Sequence, residues 1–285
     1  MSSISASDRL ATLTPRARSL NQGVPSARSL LLTVLGEWVL PSGGEAWTSA
    51  LIDAMAAVGV ESKTTRQAVA RSAASGLLAP RRLGRRTRWG LTAEATRLLT
   101  VGTERIYSFG CTSPDWDGRW MLLITPAPEA SRHLRHRVRT RLGWAGFAPI
   151  GPGTWLCPWV DREPEALAVL SDLDLARATR SFVGELGSIG DARTMVAEAW
   201  ALEQVEKEYE AFVDAHGTEV PATPAEAFRA LTLLVHEWRH FPSADPGLPA
   251  ELLPQGWGGR PAAQLFHTLH ERWAPEAAKW WTERL

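Results

Sequence analysis

The stretch SKTTRQAVARSAASGLLAPRRLGRRTRWGLT, residues 62–92, decides the fold of the N-terminal third of the chain. Its first half places alanines and a valine at helical spacing, which predicts a helix that begins at Ser62 and ends before Gly76. Its second half predicts two short strands, Leu77–Leu83 and Thr87–Leu91, joined by a Gly-Arg-Arg turn. The stretch therefore indicates a helix followed by a β-hairpin.

Two more helices are predicted upstream of this stretch. The first begins at Ser26 or Ser29 and keeps apolar residues at helical spacing as far as Trp38. The second is capped by Thr48, and Gly59 lies just past its end. Three helices followed by a basic hairpin form the order of elements in a winged helix-turn-helix.

The same stretch is strongly basic, which indicates a class of ligand. Eight Lys and Arg side chains and no acidic one lie between Ser62 and Ala93. Such a cluster neutralises DNA phosphates, and polar side chains at the start of a helix read bases in the major groove. The alternatives are a solvated basic face and a winged helix that binds protein. The predicted DNA-binding residues are Lys63, Thr64, Thr65, Arg66 and Gln67 at the start of the third helix, Arg71 one turn further on, and Arg82, Arg85, Arg86 and Arg88 in the hairpin.

Composition and charge limit the other classes of protein. The net charge of the 285 residues is zero, but residues 1–110 hold 14 basic and 7 acidic side chains, and residues 181–285 hold 8 and 16. An apolar fraction of 45% predicts a folded chain of two or three domains. The sequence predicts no membrane span and no secretory signal, and Cys111 and Cys157 lack metal-ligand spacing. We therefore expect a cytoplasmic protein whose N-terminal part meets a polyanion.

A second unit is predicted from about Trp116, with helices beyond it. Its elements are a strand at Trp120–Thr125, a helix at Ser131–Trp144, strands at Phe147–Ile150 and Thr154–Trp159, a helix at Glu163–Leu173 and a strand at Ala178–Leu186. The order β-α-β-β-α-β is that of a ferredoxin-like fold. The later helices are predicted at Met195–Ala215, Pro224–His240, Ala262–Trp273 and Pro275–Arg284.

The predicted fold class is α+β, with each type of structure in its own part of the chain. The predicted segments are a flexible tail at 1–26, a winged helix-turn-helix DNA-binding domain at 27–110, a ferredoxin-like domain at 111–190 and a helical C-terminal domain at 191–285.

Several blocks along the chain have a distinctive sequence. They are ARSLLLTVLGEWV (27–39), RQAVAR (66–71) with Gly76-Leu77-Leu78 after it, LGRRTRWGLT (83–92), RIY (105–107), WDGRW (116–120), LVHEWRHFPSADPGLPAELLPQGWGG (234–259) and AAQLF (262–266). In these blocks the chain resembles the PaaX-type repressors of phenylacetate degradation. The chain departs from the family at Ser72, Ser75 and Leu77, where members usually carry a large apolar residue, an acid and Trp. These departures affect the operator sequence rather than the fold.

The resemblance implies a winged helix, a Cas2-like domain used for dimerisation and a family-specific helical C-terminal domain. It also implies a homodimeric repressor, bound to double-stranded operator DNA and released by an aryl-CoA thioester such as phenylacetyl-CoA. An aromatic effector needs flat apolar walls and a few polar groups. The residues predicted to line its pocket are His236, Trp238, Arg239 and Trp257.

The segment HEWRH, residues 236–240, also spells the H-E-x-x-H signature of zinc metalloproteases. In that interpretation Glu237 is the general base, and His267, His270 or Glu271 supplies a third ligand. Arg239 and Pro242 argue against it, because the signature normally keeps neutral residues there and the proline ends the helix. We predict no catalytic residue, no metal and no cofactor. The competing hypotheses are a zinc-dependent hydrolase and a DNA-binding regulator without a CoA ligand.

A basic helix in the second unit allows several interpretations. Residues 131–144 contain five arginines and two histidines. They suit the phosphates of a CoA ligand, flanking DNA, or a solvated or subunit-contacting face. A Cas2-like nuclease is not expected, because Asp115 and Asp117 precede the first strand instead of following it.

Overall fold

The computed structural model describes residues 25–111, 115–126 and 132–285. Nearly all of the predicted tail therefore lies outside the described residues. By packing, the chain forms two compact units. The first unit combines the chain up to residue 111 with residues 207–242 and 258–285, and the second combines residues 112–206 with 243–257. The C-terminal helices thus pack with the N-terminal segment, while the three-domain division of the sequence stays a prediction.

The N-terminal part of the first unit contains helices and a three-stranded sheet. The elements are α1 (Ala27–Val34) with a π-helical turn after it (Leu35–Val39), β1 (Glu45–Trp47), α2 (Thr48–Ala57), α3 (Ser62–Ala74), β2 (Leu78–Leu83), β3 (Arg86–Leu91) and α4 (Ala93–Ser108). Ser26 caps α1, with its Oγ accepting the Ser29 N–H at 3.2 Å. Gly59 and Gly76, with φ of +83° and +78°, follow the ends of α2 and α3. Strand β1 and helix α4 were not among the predicted elements.

The second unit has the predicted β-α-β-β-α-β order. Its elements are β4 (Arg119–Ile124), α5 (Arg132–Trp144), β5 (Ala148–Gly151), β6 (Thr154–Cys157), α6 (Glu163–Asp172), β7 (Arg180–Glu185) and α7 (Ala192–Ala199). The strands form an antiparallel sheet in the order β5-β6-β4-β7. Met121 and Leu123 of β4 pack with Val138 of α5 and Leu170 of α6. Trp120 points to the opposite face and packs with Val196 of α7, as the alternation of a strand requires.

The C-terminal helices are α8 (Leu202–His216), α9 (Pro224–Trp238), α10 (Phe241–Ala244) and α11 (Gly259–Thr282). The helix predicted at Met195–Ala215 is wrong as one element, because Trp200 is extended (φ −118°, ψ 138°) and separates α7 from α8. The two helices predicted around Pro275 are one helix. Pro275 removes one hydrogen bond, but burial of Trp273, Ala277 and Trp281 on both sides of it stabilises the continuous helix.

The helices of the described residues include none that is long and apolar enough to cross a membrane.

Candidate nucleic-acid interface

Helix α3 presents a polar and basic face to solvent. Lys63, Arg66, Gln67 and Arg71 are exposed, and their spacing places them along one side of the helix. Val69 is buried on the opposite side. The structure therefore brings together the side chains that were predicted at the start of the third helix, with one exception.

That exception is Thr65, whose inclusion in the predicted set is wrong. Its side chain is fully buried, and its Oγ1 donates to the carbonyl of Glu61 at 3.1 Å. Thr64 is half-buried, and Arg66 Nη1 donates to Ser62 Oγ at 2.5 Å, which holds this guanidinium near the first turn. Thr65 stabilises the start of α3 from inside, because a buried hydroxyl needs a partner within the protein.

The hairpin arginines lie on two faces and at the tip of the β2–β3 hairpin. Arg82 lies opposite Thr87, and Arg88 lies opposite Arg81 and Trp47. Because side chains alternate along a strand, Arg88 and Arg82 point to opposite faces. Arg85 lies in the turn and is exposed, as are Arg82 and Arg86.

Trp47 of β1 organises one of these faces and was not among the predicted site residues. The Arg86 guanidinium carbon lies 4.2 Å from the centroid of the Trp47 ring, and that of Arg88 lies 5.6 Å away. Arg88 Nη1 also lies 3.2 Å from Glu45 Oε2. Cation–π contact and the ion pair fix the orientation of these two guanidinium groups. A strand of three residues is too short to show a recognisable period. The one sequence signal for β1 was the aromatic residue beside the turn.

Hydrogen bonds join the sheet to α2 beside this face. Thr48 Oγ1 donates to the carbonyl of Thr87 at 3.0 Å and accepts the Trp89 Nε1–H at 3.0 Å. These two hydrogen bonds join the first residue of α2 to β3. The hairpin therefore has a defined orientation relative to the neighbouring helix.

Two of the residues predicted to bind an effector instead join α9 to α1. Arg239 Nη1 donates to Thr33 Oγ1 at 2.8 Å and to the Ser29 carbonyl at 3.2 Å. His236 Nδ1 lies 2.9 Å from the same Thr33 oxygen. Burial, together with the nearby Arg239 charge, lowers the pKa of His236 to about 3. His236 is therefore neutral at pH 7 and forms one hydrogen bond with the Thr33 hydroxyl.

The other two predicted effector residues lie in different units. Trp238 is fully buried in the first unit, where it stacks on Phe266 with 4.9 Å between ring centroids and donates to the Ile106 carbonyl at 3.1 Å. Trp257 belongs to the second unit and packs against the hydrophobic cluster around Trp120. The side chain of Trp238 is packed in the core of the first unit, and Trp257 belongs to the second unit. These four residues therefore do not form a pocket within either unit alone.

The HEWRH side chains contact three different partners. His236 contacts Thr33, Glu237 Oε2 lies 2.9 Å from His216 Nε2, and His240 Nε2 lies 2.8 Å from Glu208 Oε2. Over residues 25–111, 115–126 and 132–285, no group of three or more His, Cys, Asp and Glu side chains is arranged to hold a metal ion. Because the three side chains diverge, the arrangement does not support the zinc hydrolase hypothesis.

Comparison with known proteins gives matches along most of the chain. Residues 26–95 match the PaaX-like protein family, residues 113–196 the PaaX protein central Cas2-like domain, and residues 200–283 the PaaX-like protein C-terminal domain. The transcriptional repressor PaaX of Escherichia coli K12 is 29% identical over 270 residues, which cover 91% of this chain and 84% of that protein.

A solved structure has the same fold. An uncharacterised protein of Mycobacterium tuberculosis superposes with a TM-score of 0.61 at 23% identity, covering 88% of this chain and 97% of the other. At this identity the likeness concerns the fold alone. The three domain matches occur in one chain, in the order in which the basic N-terminal segment, the ferredoxin-like sheet and the C-terminal helices follow each other, and they show that this chain belongs to the PaaX family.

Proposed function

We propose that this protein is a DNA-binding transcriptional repressor in which residues 27–91 act as a winged helix-turn-helix. The observation that carries the proposal is the set of exposed side chains on α3 and the hairpin, which contains Lys, Arg and Gln and no acid. Membership of the PaaX family, which includes a transcriptional repressor, supports the same function.

The exposed residues divide between base reading and phosphate binding. On α3, Lys63, Arg66 and Gln67 suit base edges in the major groove, and Arg71 suits a phosphate. On the hairpin, Arg85 and the other exposed arginines suit phosphates or the minor groove. Arg88 acts mainly as a positioning residue, because Glu45 and Trp47 already engage its guanidinium. Thr65 is not among the proposed contacts, since its side chain is buried.

The repressor acts as a homodimer in this proposal, so that two winged helices engage two half-sites. Strand β7 offers a surface for the second copy. It is the edge strand of its sheet, and its Phe182 and Val183 are 54% and 46% exposed. An exposed apolar edge strand is unusual in a monomer and pairs readily with another strand. Light scattering on wild type and on Phe182→Asp tests this assignment, with a dimer and a monomer as the expected results.

The proposed effector is an aryl-CoA thioester such as phenylacetyl-CoA, and this part rests on the family resemblance. A coupling of about 1–3 kcal/mol between effector and operator sites lowers operator affinity roughly 5- to 150-fold. Operator DNA must then weaken effector binding by the same factor. Trp238 and Trp257 are not proposed to line its site together, because Trp238 is buried in the core and Trp257 belongs to the other unit.

The test is fluorescence anisotropy on duplex DNA from upstream of the protein's own gene, with and without phenylacetyl-CoA, and with free CoA as the control. Each titration is repeated across a salt series. The variant R85Q/R86Q is compared with R162Q/R177Q, which removes two exposed arginines from the second unit. If both wing arginines contact phosphates, the slope of log affinity against log salt falls by about 2 in the wing variant only.

The outcomes separate the parts of the proposal. Salt-dependent binding that phenylacetyl-CoA releases supports both the repressor and its effector. Binding that no CoA thioester changes keeps the DNA-binding regulator and removes the effector. Absence of binding to this DNA and to random duplex DNA refutes the proposed function.

A further inference from the structure

Trp47 lies beside two arginines on the outer face of the three-stranded sheet. In the register of β1 and β3, Arg88 lies directly opposite Trp47, and Arg86 follows on the same face two residues away. The opposite face of β1 is turned inward, since Ala46 is fully buried. Trp47 is half-buried and Arg86 is exposed, so the indole lies at the boundary between the sheet and solvent.

The two arginines are engaged in different ways. Arg88 Nη1 lies 3.2 Å from a carboxylate oxygen of Glu45, and its guanidinium carbon is 5.6 Å from the centroid of the Trp47 ring. The guanidinium carbon of Arg86 lies over the same ring at 4.2 Å. Among the described residues, Arg86 forms no ion pair and no side-chain hydrogen bond. The charge of Arg88 is therefore compensated within the protein, while the charge and the N–H donors of Arg86 remain for a ligand.

The ring that holds Arg86 is itself held in place. Trp47 is followed by Thr48, whose Oγ1 donates to the Thr87 carbonyl at 3.0 Å and accepts the Trp89 Nε1–H at 3.0 Å. Both partners belong to β3, the strand that begins with Arg86. The indole and the arginine are thus fixed to the same strand, which gives the cation–π contact a defined geometry.

A guanidinium that is held before DNA arrives binds at a smaller entropic cost. An exposed arginine samples many rotamers, and fixing such a side chain in an interface lowers affinity roughly 2- to 12-fold. A side chain that already rests on an aromatic ring loses less freedom on binding. A contact of this kind therefore raises affinity even though the ring touches no part of the ligand.

We propose that Trp47 is a positioning residue for DNA binding, whose ring holds the Arg86 guanidinium in the orientation in which it contacts a backbone phosphate. The inference rests on the proposed function, since it concerns how the hairpin binds DNA. Trp47 contributes affinity only through Arg86 in this proposal. A ring that served only to cover the sheet would show no dependence on that arginine.

The experiment is a pair of double-mutant cycles on the full chain. In the first, Trp47→Leu is combined with Arg86→Gln, and in the second it is combined with Arg85→Gln. Arg85 is the matched control, because it is the neighbouring exposed arginine, whereas the described cation–π contacts of Trp47 are those with Arg86 and Arg88. Each variant is titrated by fluorescence anisotropy with labelled duplex DNA from upstream of the gene, between about 50 and 200 mM salt. Circular dichroism and urea unfolding check that each is folded.

Trp47→Leu is expected to weaken DNA binding roughly 2- to 12-fold in the wild type and in the Arg85→Gln background. In the Arg86→Gln background the same substitution should cause no further loss, because the side chain that the ring holds is absent. Arg86→Gln should reduce the slope of log affinity against log salt by about 1. Trp47→Leu should leave that slope unchanged, because the number of phosphate contacts stays the same.

A second variant separates the π face from the bulk of the side chain. Phenylalanine attracts a cation less strongly than tryptophan, and leucine has no aromatic face. Trp47→Phe should therefore bind DNA with an affinity between those of the wild type and Trp47→Leu. It also keeps the test valid if Trp47→Leu is too unstable to measure.

The other outcomes overturn the inference in different ways. An equal loss from Trp47→Leu in both arginine backgrounds assigns the effect to the sheet as a whole. Tighter binding by Trp47→Leu means that the ring withholds Arg86 from DNA. Wild-type affinity in Arg86→Gln removes this arginine from the interface. If the wild type binds no duplex DNA at all, the proposed function fails as well, whereas each preceding result leaves it intact.

Discussion

Arg239, at the end of α9, donates a hydrogen bond to the hydroxyl of Thr33 in α1 over 2.8 Å. The same hydroxyl lies 2.9 Å from His236 Nδ1, so one threonine oxygen joins two side chains of the HEWRH segment to the first helix. All three side chains are buried. The C-terminal helices therefore fix the helix that begins the proposed DNA-binding segment, through polar contacts that have to be satisfied inside the protein.

Substitution of Thr33 by Val is expected to destabilise the first unit while keeping its shape. The hydrogen bonds that Thr33 forms with Arg239 and His236 are lost from the core, which costs about 1–3 kcal/mol. Equilibrium unfolding in urea measures the change. Thr282→Val is the matched control, because the Thr282 hydroxyl is exposed and, among the described residues, bonds only to the Ala278 carbonyl of its own helix. Equal effects at both positions would show that the buried contact adds nothing.

His236 predicts a pH dependence of stability. Its pKa is lowered to about 3 in the folded protein, against an ordinary value near 6.5. Between these values the unfolded chain binds a proton that the folded chain does not. The contribution of His236 to the free energy of unfolding is therefore complete above about pH 6.5 and decreases as the pH falls. The loss is roughly 1.4 kcal/mol per pH unit until the folded-state pKa is reached.

The variant His236→Asn isolates this contribution. The Asn side-chain amide can keep a hydrogen bond to Thr33, but it does not titrate. The difference in unfolding free energy between wild type and variant should therefore change with pH below about 6.5 and be constant above it. A constant difference down to pH 4 would mean that His236 protonates as easily in the folded protein as in the unfolded chain.

The sequence predicted most of the elements because their signals are local. Helical spacing, N-cap residues and glycines predicted α1, α2 and α3, and alternation predicted the ferredoxin-like order. The break predicted at Pro275 was wrong, since the packing that keeps α11 continuous comes from another helix.

The hydrogen-bonded cluster of Glu37, Tyr107 and His270 has no local signal in the sequence. The Tyr107 hydroxyl donates to Glu37 Oε2 at 2.6 Å, and burial raises its pKa.

The candidate DNA-binding site could also be predicted only in part from the sequence. Basic residues in a helix–hairpin stretch were recognisable, because charge is visible in the sequence. The phase of the helix and the presence of β1 determine which of the predicted residues face solvent. Thr65 points inward, and the guanidinium of Arg88 contacts Trp47 and Glu45. The HEWRH block drew attention as a metal or effector site. Its polar residues instead satisfy one another across helices that are distant in sequence.

Ser72 offers a test of the departure from the family pattern. Its hydroxyl is fully buried in α3 and has no hydrogen-bond partner among the described residues. Ser72→Ala should stabilise the protein by about 1–2 kcal/mol, which exceeds the roughly 0.5 kcal/mol expected from helix propensity alone. Thermal and urea unfolding measure it. Ser75→Ala, which removes an exposed hydroxyl that bonds to the Ser72 carbonyl at 3.0 Å, should be neutral or slightly destabilising. A gain at Ser72 no larger than the propensity difference would contradict the assignment of an unsatisfied hydroxyl.

Base reading and phosphate binding should separate in single variants. Gln67→Ala is expected to cost about 1–3 kcal/mol on the preferred DNA and to relax preference at one base pair. Arg85→Gln should weaken binding to all sequences and reduce the salt slope by about 1. Anisotropy with duplexes that carry single base-pair changes measures both. Arg97→Gln in α4 removes an exposed arginine outside the proposed interface and should leave both measures unchanged. Uniform weakening by Gln67→Ala would assign that residue to the backbone instead.

The same substitution, glycine to alanine, should have opposite effects at two positions, one inside α4 and one just after it. Gly110 has a φ of +75°, and a Cβ built on it lies 2.6 Å from the Ala263 Cβ of α11. Gly110→Ala therefore combines backbone strain with a steric clash and is expected to cost about 2–4 kcal/mol. Gly102 lies inside α4 with nothing within 4 Å of the added Cβ, so Gly102→Ala should stabilise by about 0.5–1 kcal/mol. Unfolding monitored by tryptophan fluorescence measures both and also detects movement of the nearby Trp238. If Gly110→Ala were as stable as the wild type, with unchanged fluorescence, the close approach of this segment to α11 would be wrong. A Cβ at 2.6 Å from the Ala263 Cβ has to shift one of the two segments, and the neighbouring Trp238 ring would shift with it.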